Sequence, residues 1–320
     1  MKHILLSTAA ALAFTLVAGA ASAQSMGNAA YIEQAGTSNE NSQTQEGGNG
    51  NYTKNAQTGT SNKATTLQKN GSANRAVSTQ FNTGNTSDQT QTGGERNELS
   101  SVQTGTAGNK VTQTQTDGVY NRAWANQEGS DNTITQGQTG GLNGIMDARQ
   151  AGAGNISTQS QTAAFDSAAY VTQTGNGNLA EQSQTGTRLS ATIGQSGDNN
   201  SGKQTQTGED NLASIIQSGA LNNAIQTQAG TGNRVSAVQD GRNNRMEQTQ
   251  DGTGNVASAE QFNGDPTGNY GSQSQIGTGN VVSLYQNGIG NNSVQSQNGT
   301  GNMMGARQEG SGNRSTQTQR

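Results

Sequence analysis

Asn28, Gln34 and Gly36 open a spacing that governs the whole chain: Asn-x-x-x-x-x-Gln-x-Gly, two or three further residues, then the next Asn. Twenty-six such units run from Asn28 to Gln319, with a mean step of 11.4 residues over the 25 steps from Asn28 to Asn313. Self-similarity at a short fixed period is the mark of stacked repeats, each burying its surface only against its neighbours. Gln stands at the seventh position of all 26 units and Asn at the first position of 23, the exceptions being Gly144, Ser167 and Leu189. The ninth position is Gly in most units, and Asn70, Asn82, Asp117 and Asn263 stand in for it elsewhere. Gly, Asn and Asp enter left-handed backbone conformations at low cost, so this position marks a turn. Ala163 departs from the rule and marks an irregular corner.

Seven residues between turns is strand length and too short for a helix without a strong apolar stripe. Strand alternation places positions one, three, five and seven on one face. No Asp, Glu, Lys or Arg occupies any of these positions; the charges of the repeats fall on even positions or in turns, as Lys54, Arg75, Glu181 and Arg307 do. The pattern therefore defines an inside and an outside. Position three is mostly small or aliphatic, as in Ala30, Ala76, Val111, Ala213, Val235 and Val282. Every second unit adds a Gln at position five, from Gln43 through Gln89 and Gln113 to Gln317, and only Thr66 breaks the series. The alternate units place Ile32, Val171, Ile215 or Leu284 there.

Two alternating strand types predict an all-β fold: a β-solenoid of about 13 two-stranded coils, 26 strand units in all, with amide ladders inside. At a strand spacing of roughly 4.8 Å the rod is on the order of 60 Å long. A primary amide offers two donors and an acceptor, so identical amides one strand apart can satisfy one another along the stack.

Composition excludes the alternatives. Hydrophobic residues make up 27% and aromatic residues 3% of the chain, too little for an ordinary globular core. There is no Cys, and the one His is His3. Disulfides, thiolate or imidazole metal sites and nucleophile–base pairs are thus not expected, nor are a cofactor or an enzymatic activity. The net charge of −4 with no basic stripe argues against nucleic acid as a partner. Met1-Lys2-His3, the apolar run from Ile4 to Gly19 and Ala21-Ser22-Ala23 read as a secretory signal peptide over residues 1–23. Residues 24–27 then form a short segment before the repeat domain of residues 28–320, which contains no apolar stretch long enough to span a bilayer.

The pairing of strands such as Gln173-Thr174-Gly175-Asn176-Gly177-Asn178-Leu179-Ala180 and Gln206-Thr207-Gly208-Glu209-Asp210-Asn211-Leu212-Ala213 resembles the curlin repeat. Here Asn opens a unit where familiar curlins have Ser, as at Ser167. The resemblance implies a secreted subunit of a curli-type amyloid fibre on the cell surface, with itself, a curli-type export pore and a nucleator subunit as partners. It further implies that the inward Asn and Gln columns serve nucleation and elongation. In the terminal coils these are Asn28, Gln34, Asn39 and Gln45 at one end and Asn302, Gln308, Asn313 and Gln319 at the other.

The first and last repeats lie next to the expected cleavage point and to Arg320, so no capping element is expected at either end, and uncapped coils invite stacking. Charge suggests a sense for that stacking. The first coil carries Glu33, Glu40 and Glu46, and the last carries Arg307, Arg314 and Arg320 at the same three positions. The residues leave two other readings open. One is an ice-binding face built on the Thr-x-Thr array that includes Thr92, Thr116, Thr139, Thr162, Thr185 and Thr207; the other is a surface adhesin that does not polymerise. Two weak points are also expected, a loop at Gly264–Thr267 around Pro266 and a corner at residues 163–166.

Overall fold

The computed structural model describes residues 27–262 and 267–320. Within them every element is a strand, and there are 26, numbered in chain order from β1 (Ala29–Thr37) and β2 (Glu40–Glu46) to β25 (Met303–Ser311) and β26 (Arg314–Gln319). Odd-numbered strands form one 13-stranded parallel sheet and even-numbered strands another. Consecutive strands thus lie in opposite sheets, and each coil sets its two strands on the next two. The expected solenoid of two-stranded coils is what the chain forms. The expected leader of residues 1–23 and most of the loop around Pro266 lie outside the described residues.

Pairing is in register unit by unit: Gln34 stands beside Gln57, and Gly36 beside Gly59. The glycine at the turn is needed twice over. At Gly208 φ is +114°, and a Cβ would sit 2.1 Å from the carbonyl oxygen of Gly230 one coil on. A side chain there would be strained and would wedge two coils apart. Where other residues take the turn, Asn70, Asn82, Asp117 and Ala163 adopt φ values of 56°, 68°, 52° and 47°. Ala163 lies in β12 (Ile156–Phe165), and the one register shift in the even sheet falls there, between Thr162 and Phe165.

The inside is as the alternation requires. Every polar residue that is fully buried is Asn, Gln, Ser or Thr. A continuous apolar seam runs from Val111 and Ala125 through Ile134, Ile193 and Ile215 to Leu284. It does not extend to the first coils, where Thr53, Asn55, Thr66, Ser78 and Ser87 take its place. Among the described residues, eight buried side-chain polar atoms have no partner, and five of them lie between Asn41 and Gln89. The first three coils are therefore the least well satisfied part of the stack.

The three units without an opening Asn are stacked on one another. Gly144, Ser167 and Leu189 precede β11 (Ile145–Ala153), β13 (Ala168–Asn176) and β15 (Ser190–Asp198), which are neighbours in the odd sheet. Ser167 Oγ still accepts from the Leu189 N–H at 3.0 Å, but Leu189 has nothing to offer the coil beyond it. This gap adjoins the irregular corner at Ala163, and the two defects weaken the same stretch.

Candidate assembly site

The inward amides form three columns. In the odd sheet, Gln34 donates through Nε2 to Oε1 of Gln57 at 2.7 Å, and the same bond recurs at every step to Gln308 with lengths of 2.7–3.0 Å. In the even sheet, the column from Gln45 to Gln319 repeats it at 2.7–3.1 Å. The third column, at position five, runs unbroken from Gln89 to Gln317 at 2.8–3.1 Å. Thr66 interrupts it near its start. Without a glutamine donor there, Gln89 Oε1 is buried unpaired, while Thr66 Oγ1 turns across the core to Asn55 Oδ1 at 3.0 Å.

All three columns donate in the same sense, toward the C-terminal coil. Each Nε2 also has a second hydrogen, which commonly goes to a carbonyl of the opposite sheet, as from Gln57 to Glu40 at 2.9 Å and from Gln136 to Trp124 at 2.9 Å. One side chain thus joins two coils and two sheets, and the seam can be thin because this network replaces much of an apolar core.

The Asn columns work differently from the amide-to-amide ladder expected for them. Asn28 Oδ1 accepts the backbone N–H of Asn51 at 2.9 Å, and Asn51 Nδ2 donates to the turn carbonyl of Gly71 at 3.0 Å. Asn39 accepts from the Asn62 N–H at 3.0 Å in the even sheet. At the other end, the backbone N–H groups of Asn302 and Asn313 donate to Oδ1 of Asn280 and Asn291, each at 3.0 Å. Side-chain contacts between successive asparagines occur as well, as from Asn155 Nδ2 to Asn132 Oδ1 at 3.1 Å, but they are secondary. These residues chiefly staple each turn to the next.

The six charged residues singled out at the ends are exposed. Glu40 pairs with Lys63 at 3.7 Å and Glu46 with Lys69 at 3.3 Å, one coil on and at matching strand positions. Glu33 is different: the residue beside it is Ala56, and its partner is Lys54, reached diagonally at 3.0 Å. Arg307 is bound by Glu309 of its own strand and lies 4.7 Å from the ring centre of Tyr285. Arg314 and Arg320 have no acidic partner among the described residues. Elsewhere on the surface, Arg188 grips Asp210 and Glu209 from the coil beyond and holds the Asp210 carboxyl below its usual range by hydrogen bonding and charge.

These features define a class: a parallel β-solenoid with two strands per coil and a hydrogen-bonded amide interior. Residues 208–241 match the curlin associated repeat, which makes this a curlin-repeat protein. The match takes in Leu212–Ala220 and Asn223–Thr231, and the register there is the register of the coils on either side. No curated protein gives a significant match to the chain.

Proposed function

We propose that the protein is the structural subunit of an extracellular, curli-like fibre, and that it polymerises by stacking its terminal coils end to end. One observation carries the reading. Two 13-stranded parallel sheets end in strands β1, β2, β25 and β26 whose outer edges have no strand partner among the described residues. Open edges of flat parallel sheets pair with further strands, and a contact that does not close on itself generates a filament. The curlin match supports the same reading, since that family implies self-assembly and a place at the cell surface. A homopolymer needs neither cofactor nor active site. Export through a curli-type pore and a nucleator as a second partner belong to this proposal.

The test is to incubate the purified protein at micromolar concentration and follow it by amyloid-dye binding, electron microscopy and fibre diffraction. Fibres with meridional spacing near 4.8 Å are expected. Persistent, protease-sensitive monomer after days would overturn the proposal.

A second reading has its own observation. On the outer face of the even sheet, Thr92, Thr116, Thr139, Thr162, Thr185 and Thr207 are paired coil to coil. None of the six hydroxyls has a partner among the described residues. A flat array of free hydroxyls and methyls at regular spacing is a surface that can order water, and ice binding is the function it would serve. Thermal hysteresis by the monomer in the absence of fibres would favour this reading; its absence would dispose of it.

A further inference from the structure

We infer that the fibre joint is polar at the level of single hydrogen bonds: the C-terminal coil is a donor face, the N-terminal coil is its acceptor face, and the occupant of each is the other face of a second copy. The inference rests on the fibre reading and adds the direction of the joint and the atoms that set it. Because all three glutamine columns donate toward the C-terminal coil, the first coil is left with the oxygens Gln34 Oε1, Gln43 Oε1 and Gln45 Oε1, which accept nothing within the molecule. Gln43 Oε1 is buried there without a partner. The last coil is left with the matching amide hydrogens. Gln308 Nε2 donates only to the Asn292 carbonyl at 3.0 Å and Gln317 Nε2 only to the Gly305 carbonyl at 3.1 Å, while Gln319 Nε2 has no acceptor among the described residues.

The Asn columns leave the reverse complement. Asn302 Oδ1 and Asn313 Oδ1 lack the backbone N–H that every interior counterpart of the regular units receives, and the acceptor position one coil before Asn28 and Asn39 is empty among the described residues. Stacking the last coil of one copy on the first coil of the next continues all of these columns with the geometry already present inside the molecule. Joining two first coils would oppose oxygen to oxygen, and joining two last coils would oppose hydrogen to hydrogen. An unmade buried hydrogen bond is heavily penalised, so the ladders themselves select head-to-tail growth.

Charge agrees in two of its three columns. Arg314 and Arg320 would stand over Glu40 and Glu46 of the next copy, which already hold Lys63 and Lys69 on their far sides. The third pair, Arg307 with Glu33, competes with Glu309 and Lys54 and contributes less. Exposed pairs of this kind are weak and screened by salt, so they guide encounter while the amides fix the joint.

The experiment is two-colour imaging of growth from tethered wild-type fibre seeds, with each variant added as a minor component of the monomer. Gln308→Glu, Gln317→Glu and Gln319→Glu together keep acceptors for the bonds from Gln286, Gln295 and Gln297 but have no amide hydrogen to give. This variant should add through its intact first coil to one end of a seed and stop growth there. Gln34→Met, Gln43→Met and Gln45→Met together remove the acceptors and should stop the opposite end. Gln319→Glu alone removes no donated bond within the molecule, so its effect cannot come from a lost internal contact. Each triple variant should slow one end by about tenfold, the factor set by a single unmade buried hydrogen bond, and leave the other end unchanged. Gln319→Glu should act at the same end as its triple. Variants that slow the same end, both ends equally or neither end would overturn the polar joint while leaving the fibre reading intact. Failure of the wild type to form seeds would overturn both.

Discussion

Thr66→Gln is the substitution that most directly weighs the amide network. Thr66 is the one residue that breaks the position-five column, and the break leaves Gln89 Oε1 buried without a donor. A glutamine at 66 would donate to Gln89 and would give the Gln43 amide an acceptor in line. Satisfying a buried acceptor of this kind recovers about 1–3 kcal/mol. Against that stands the loss of the 3.0 Å bond from Thr66 Oγ1 to Asn55 Oδ1, worth about 1 kcal/mol. Space is not the obstacle. Gln204 and Gln226 occupy the same position in coils where the facing residues are Ile193 and Ile215, both bulkier than Asn55. The expected net gain is about 1 kcal/mol of stability, read as a higher guanidinium midpoint at unchanged slope. Thr66→Val, which removes the bond to Asn55 and supplies no donor to Gln89, should lose about 1–2 kcal/mol. Should Thr66→Gln prove less stable than Thr66→Val, the network would not carry the weight assigned to it.

Three further outcomes follow from the same geometry. Gly208→Ala should destabilise by about 1–3 kcal/mol or more, because φ there is positive and the Cβ would strike the Gly230 carbonyl, whereas Gly137→Ala has open space and should be neutral or stabilising by about 0.5–1 kcal/mol; paired denaturation curves decide it. Limited proteolysis should cut first within residues 163–166, where Ala163 shifts the register and Ser167 and Leu189 replace the stapling asparagine, and first cuts inside the regular coils of residues 211–256 would contradict this. The Asp210 carboxyl is held below its usual range by Arg188, so its small contribution to stability is complete above the unfolded value of about 3.9 and is lost as pH falls through the lowered folded value; Asp210→Asn should remove that part of the acid dependence.

Much of the architecture was legible in the residues. The invariant Gln at position seven, the absence of charge from odd positions and the doubling of Gln in alternate units were enough to give the coil, its inside and the count of strands. What was not legible lies in quantities that residue identity leaves open. An amide has both a donor and an acceptor, so the spacing of Gln34 and Gln57 shows that they meet and not which one gives. The asparagines sit beside turns, where backbone groups are left over, and so bond chiefly to the backbone rather than to one another. Register alone misplaced Glu33: Ala56 beside it offers no charge, and Lys54 is long enough to reach it diagonally. The polar interior of the early coils was written in Thr53, Asn55, Thr66 and Ser78, but its consequence, buried atoms left without partners, needed coordinates.

The central claim is that the intramolecular stack of coils continues unchanged from one molecule into the next. The most direct measurement is a helical reconstruction of the fibre by electron cryomicroscopy, at a resolution that separates strands. The account predicts β1 lying parallel to β25 of the preceding molecule, and β2 to β26, at the same spacing of about 4.8 Å as inside the molecule, with Gln308 beside Gln34 and Gln319 beside Gln45. A fibre in which the terminal coils are separated, joined antiparallel or packed side by side on their outer faces would contradict it.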